Sequence, residues 1–327
     1  MTSGSHHSLT AAQEAFDTGP LSWVMPEIRE AISRADRLLL DAPEPVAETQ
    51  STTLLHAKSY LHQAHGALQI VDIDGVSIIT ETIEDLIERL QSQQLALTPA
   101  CASTISDALN AVLRYLEDLL TGAAHQPVRL FPYYRGLLEL IGADRIHPAD
   151  LFFPSLSVQE KIPELSIKPQ VAPISYVKVR QRFEKLLLTV LTSKDDQQRL
   201  QALHSVLELV QDVEQAQTNA QAKAFWLVMR AFTEATAQGK IENQQYVKQI
   251  FGRINLQIRR LVDGITSIPE RLLRDALFFI AQAPSPSASV AQIKRAYQLD
   301  DQVPTDYQQK SYGQIPTAKL LAAKEQL

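Results

Sequence analysis

Apolar residues in this chain recur three and four apart almost from end to end, and no run alternates apolar with polar residues. The first spacing puts side chains on one face of a helix; the second would be needed for a half-buried strand. The chain can therefore bury its apolar side chains only by packing helix on helix, and the predicted fold class is all-α. Hydrophobic residues make up 45% of 327 positions, enough for about two domains. An N-terminal four-helix bundle followed by a second helical-bundle domain is expected.

Local punctuation divides the chain. Residues 1–20 read as a disordered N-terminus ending in a Gly19-Pro20 breaker. A first helix is predicted over 21–41, with Ile28, Ala31, Ile32, Ala35, Leu38 and Leu39 on one stripe and Pro26 in its first turn or so. Residues 42–49 connect it to a second helix over 52–71. Asp74, in the turn Asp72-Ile73-Asp74-Gly75, is a candidate cap for a third helix reaching residue 93. Thr98-Pro99 opens a fourth, to residue 120, closed by Gly122, and a shorter helix over 130–141 ends at Gly142. The bundle is expected over 21–154. Residues 155–175, with Pro163, Pro169 and Pro173, read as a linker. The second domain is expected over 176–283, with helices near 177–192, 195–216, 219–238, 242–262 and 269–282. Short helices and a tail, including a helix over 317–327, fill 284–327.

Several classes of function are excluded. No two glycines are spaced as G-x-G, so there is no common glycine-rich nucleotide loop. One cysteine, Cys101, rules out a disulfide framework or a Cys-based zinc site, and no cofactor is expected. No apolar run is long enough to span a membrane, and the N-terminus has no basic start followed by an apolar core; a cytoplasmic location is the expectation. The net charge of −6 is uneven: residues 1–176 carry 11 basic and 22 acidic groups, −11, and residues 177–327 carry 20 and 15, +5. Neither half concentrates basic charge as nucleic-acid binding demands. Arg259-Arg260 and Lys294-Arg295 are isolated pairs, and Phe225-Trp226 and Phe278-Phe279 read as core.

The informative stretch lies on the second helix. Leu54, Ala57, Leu61, Ala64, Leu68 and Val71 form an apolar stripe. Opposite it, Lys58, His62, His65 or Gly66, and Gln69 step by three and four, so His62 is expected to point into solvent. Gly66 lies one turn beyond. A glycine inside a helix costs about 1 kcal/mol relative to alanine, and space for an approaching partner is a reason to keep it. This is what histidine phosphotransfer needs: a neutral imidazole is a nucleophile, and neighbouring donors steady the phosphoryl oxygens. His62 is the candidate phosphoacceptor, Lys58, His65 and Gln69 are candidate phosphate-assisting residues, and Gly66 clears the approach. His62 and His65 have no further partner at metal-ligand spacing, and no metal is expected. Glu81, Glu84, Asp85 and Glu88 read as a solvated face, and His204, with no glycine four residues on, as a surface or packing histidine.

His62 and Gly66 resemble the histidine phosphotransfer (HPt) motif, in which lysine and glycine follow histidine at the third and fourth positions; here His65 stands in the lysine's place. At family level, Leu21-Ser22-Trp23-Val24 with Glu27-Ile28, residues 61–75, Leu151-Phe152-Phe153, and the runs 271–281 and 294–312 resemble the N-terminal region of CheA-type hybrid histidine kinases of the type IV pilus chemosensory (Chp/PilL) system. The FimL-type stand-alone scaffold is a related family sharing the first bundle. The resemblance implies a two-component phosphorelay module acting on twitching motility. It would dock CheY-like response regulator receiver domains and work among type IV pilus chemosensory proteins, without nucleic acid or membrane insertion. Nothing in the chain matches an ATP-binding kinase core; the kinase resemblance implies that one would lie beyond residue 327. A non-catalytic scaffold built on a degenerate HPt bundle is the alternative.

Overall fold

The computed structural model describes residues 17–42, 47–158, 162, 165, 174–241, 244–284 and 287–312. All regular structure among them is helical. The expectations for residues 1–16, for 43–46, for most of the 155–175 linker and for a helix over 317–327 lie outside the described residues. The contacts divide the chain into two compact units, 1–146 with 306–327, and 147–305.

The first unit contains α1 (Gly19–Asp41), α2 (Ala47–Val71), α3 (Val76–Gln91), α4 (Pro99–Leu120) and α5 (Phe131–Ile141). Its helices form because each carries one apolar stripe. On α1, Leu21, Met25, Ile28, Ile32, Ala35 and Leu39 are buried. Gly19-Pro20 was expected to break the chain, yet it opens α1. Proline in a first turn needs no N–H partner and has its φ already set for the helix. The early start leaves Pro26 in the helix interior, not the first turn. Thr98 caps α4 by accepting from the Cys101 amide (3.1 Å), and Gly142, at φ 70°, ends α5. The residue before α3 is Gly75, at φ 81°, with no side chain to cap it.

α1 packs on α2 and α4, α2 on α3, and α3 on both α4 and α5, so the fifth helix completes the bundle. The α1–α2 and α1–α4 seams are polar at the rim: Gln63 donates to Glu27 (3.3 Å), Arg29 pairs with Glu117 (2.9 Å), and Asn110 donates to Asp36 (3.2 Å). Residues 306–312, expected in a tail, pack into this unit. Asp306 pairs with Arg129 (3.1 Å), Tyr307 packs near Phe131 (6.2 Å between centroids), and Tyr312 meets Tyr115 edge-on (6.1 Å).

The second unit contains α6 (Tyr176–Thr192), α7 (Asp196–Gln215), α8 (Ala220–Ala237), α9 (Gln244–Val262), α10 (Glu270–Gln282) and α11 (Ala288–Ala296). Ser175, Asp195, Asn219 and Ser287 each accept a hydrogen bond from a backbone amide at the start of their helices. α8 is buried on nearly every side, including Phe225, Trp226, Val228, Met229 and Phe232, and packs against α7, α10 and α11. The segment from His147 to Phe153 packs in this unit, where the sequence reading ran the first bundle on to residue 154. His147 lies against Tyr246, Phe278 and Phe279, Phe152 against Phe278, and Asp150 pairs with Arg271 (3.1 Å). Two ion pairs tie helices together with one member buried: Glu214 with Arg230 and Asp275 with Arg253, each at 2.7 Å.

Candidate functional site

The turn from Asp72 to Gly75 sends α3 back antiparallel along α2, which aligns the polar face of α2 with a row of carboxylates on α3. Lys58 is ion-paired with Glu88. His62 Nδ1 lies 3.6 Å from Glu84 Oε2, and His65 Nε2 lies 3.6 Å from Glu81 Oε1. The acidic cluster expected to be plain solvated surface thus confronts the candidate histidines. Glu84 is its most enclosed member, with 17% of its side chain exposed and its Oε1 buried without a hydrogen-bond partner.

His62 projects outward with 76% of its side chain exposed. Its orientation follows from the stripe beneath it: Leu54, Ala57, Leu61, Ala64 and Leu68 are all buried. His65 does not share that exposure, and its placement on the open face is corrected here. It is buried between α2 and α3, where Nδ1 lies 2.9 Å from Thr80 Oγ1 and Nε2 lies 2.9 Å from Gln69 Nε2. The Thr80 hydroxyl donates to the Ser77 carbonyl (2.9 Å), so it accepts from His65 Nδ1–H, and Nε2 accepts from the Gln69 amide. The candidate assisting residues are therefore engaged within the bundle: Lys58 with Glu88, and His65 and Gln69 with each other.

Gly66 has nothing within 4 Å of where a Cβ would stand, so internal packing does not require a glycine. Elsewhere on α1 and α2 stand exposed apolar groups: Leu55 and Ile70 on α2 and, at 86% exposure, Trp23 on α1. Trp23 entered the sequence argument only within the family resemblance and was given no place on an exposed face. It falls outside the apolar stripe of α1, and that offset was a signal of exposure available in the spacing.

Chemically, the face offers a reachable imidazole with a carboxylate, Glu84, on one side of its ring. That carboxylate meets the ring at Nδ1, which leaves Nε2 as the nitrogen for a phosphoryl group, and Lys58 already has a carboxylate partner. Among the described residues, no group of three or more His, Cys, Asp or Glu is placed to hold a metal ion. His204 is exposed on α7, and Phe225, Trp226, Phe278 and Phe279 are buried.

Residues 168–310 match the family model of the FimL scaffold protein second domain. The resemblance read from the sequence had placed the FimL likeness on the first bundle. Over 267 residues the chain is 22% identical to the scaffold protein FimL of Pseudomonas aeruginosa, an alignment covering 80% of this chain and 46% of that protein. The chain thus spans under half the length of this curated relative. No solved structure matches it. These similarities relate the chain to FimL-type scaffold proteins, and neither of them points to a histidine kinase.

Proposed function

We propose that the chain is a non-catalytic scaffold of a type IV pilus chemosensory pathway, tethering partner proteins through exposed helix faces. The observation that carries this reading is the match of residues 168–310 to a scaffold protein's second domain. The α2–α3 face supports it: with Lys58 committed to Glu88 and a buried His65 where the motif has its lysine, the first unit suits a degenerate HPt-like bundle that docks a CheY-like receiver without taking its phosphate. A cytoplasmic location suits those partners, and among the described residues no helix is long and apolar enough to cross a membrane.

A second reading, phosphotransfer at His62, is favoured by one specific feature, an exposed imidazole with open space beside Gly66 one turn on. Incubating the purified chain with a phosphorylated CheY-like receiver of the pilus system separates the two. The scaffold reading expects receiver binding that His62→Gln leaves intact, with no label on the chain. Label retained by the unaltered chain and lost in His62→Gln establishes phosphotransfer instead. Failure to bind any receiver or other purified pilus chemosensory protein refutes both.

A further inference from the structure

Arg259-Arg260 stands as an isolated pair in the sequence. In the fold it joins two more arginines. A cleft of about 500 Å³ lies between α9 and the start of α10, and Arg253, Arg259, Arg260 and Arg271 line it with a single carboxylate, Asp263. Leu256, 55% exposed, belongs to the same lining.

The cleft is held open by its own hydrogen bonds. The chain leaves α9 through Gly264, at φ 75°, and the Ile265 amide donates back to the Arg260 carbonyl (2.8 Å). Gln257 donates to the Ser267 carbonyl (2.9 Å) and Arg260 to the Ser267 hydroxyl (2.8 Å), which pins the loop against the helix. Arg253 and Arg271 are anchored by Asp275 and Asp150. Arg259 and Arg260 have no ion pair with a carboxylate among the described residues. Glu184, the carboxylate whose charge Arg259 senses, is held below the usual range first by hydrogen bonds from Asn255 and Arg180, with the field of Arg259 a smaller influence.

We infer that this cleft docks a short acidic peptide segment of a partner protein, with carboxylates on Arg259 and Arg260 and an apolar side chain on Leu256. Guanidinium groups match carboxylates in two-pronged hydrogen bonds, and arginine is enriched among the residues that anchor interfaces. The volume suits a few side chains, not a whole protein face. Two unpaired guanidiniums on a chain of net charge −6 are too few for a nucleic-acid track, which needs a row of phosphate contacts. The inference names a partner class for the scaffold reading and rests on it only in supposing that the second unit has a partner to hold.

The test is fluorescence anisotropy on the full chain. The probe is a fluorescein-labelled synthetic peptide with leucines flanked by glutamate pairs, compared with a matched peptide carrying glutamine at every glutamate. The glutamate peptide is expected to bind, to weaken as salt is raised, and to weaken about tenfold in the double variant Arg259→Gln, Arg260→Gln. Arg259 is exposed and Arg260 half-buried, and an unchanged circular-dichroism melt shows that the variant is folded. Leu256→Ser is expected to weaken binding without altering its salt dependence. Equal binding of the two peptides, no binding of the glutamate peptide, or an unchanged affinity in the double variant overturns the inference. Preference for single-stranded RNA or for phosphatidylglycerol vesicles overturns it as well. None of these readouts involves a receiver or His62, so failure here is distinct from failure of the scaffold reading.

Discussion

Replacing Gly66 by alanine should make the protein more stable, although the residue sits in the middle of the informative face. Gly66 lies inside α2, its φ is not in the left-handed region, and an added Cβ meets nothing within 4 Å. The substitution therefore brings no clash and no strain, and what remains is the backbone entropy that alanine does not lose. Host–guest values put that difference at about 0.8–1.0 kcal/mol in a helix interior. The unit that contains it, 1–146 with 306–327, belongs to a size class in which about 1 kcal/mol moves the melting midpoint by about 2–4 °C. A thermal melt followed by circular dichroism should show a rise of about that size. A midpoint that stays put or falls refutes the reasoning, because it means that the space beside the Gly66 Cα is already occupied or that the helix is distorted there. If the glycine is kept for an approaching partner, the same variant binds the CheY-like receiver less well. Stability and binding then move in opposite directions, which no purely internal role for the residue produces.

Three further outcomes follow from the packing. Arg230→Met leaves Glu214, only 3% exposed at its side chain, without its guanidinium, and should cost about 3 kcal/mol in urea unfolding; adding Glu214→Gln should recover part of that loss. Truncation after Thr305 removes the buried Tyr307 and the Asp306–Arg129 pair. It should destabilise the first unit by about 2 kcal/mol or more, and an unchanged unfolding midpoint would show that the returning segment contributes nothing. Burial pushes the His125 imidazole below its ordinary 6.5. The unfolded chain therefore takes up a proton that the folded one refuses, and this contribution, complete above about pH 6.5, is lost as the pH falls below it. Urea midpoints measured across that range should fall less steeply in His125→Gln than in the unaltered chain.

Much of the helix pattern was legible because its signals are local. The N-cap Thr98, the terminator Gly142, and the Asp195 and Asn219 starts of α7 and α8 act within a few residues of themselves, and the observed elements fall at or within two residues of those positions. The beginning of α1 was misread for a related reason. Gly19-Pro20 has the composition of a breaker, but proline breaks a helix only where an amide hydrogen is needed, and the first turn needs none. His65 was misplaced because stepping along α2 says which way a side chain leaves its own helix and not what covers it. Thr80, fifteen positions on, supplies the cover.

The spacing of apolar residues by itself determined that the chain is helical, where most helices run, and that His62 turns away from the stripe which α2 buries. Periodicity is a property of one helix and needs no knowledge of its neighbours. Which charges meet across helices depends on register and crossing, and these are decided only when whole faces compete for burial. Only the tertiary structure could bring Glu84 to His62, carry Tyr307 and Tyr312 back to the first unit, and gather Arg253, Arg259, Arg260 and Arg271 around one cleft.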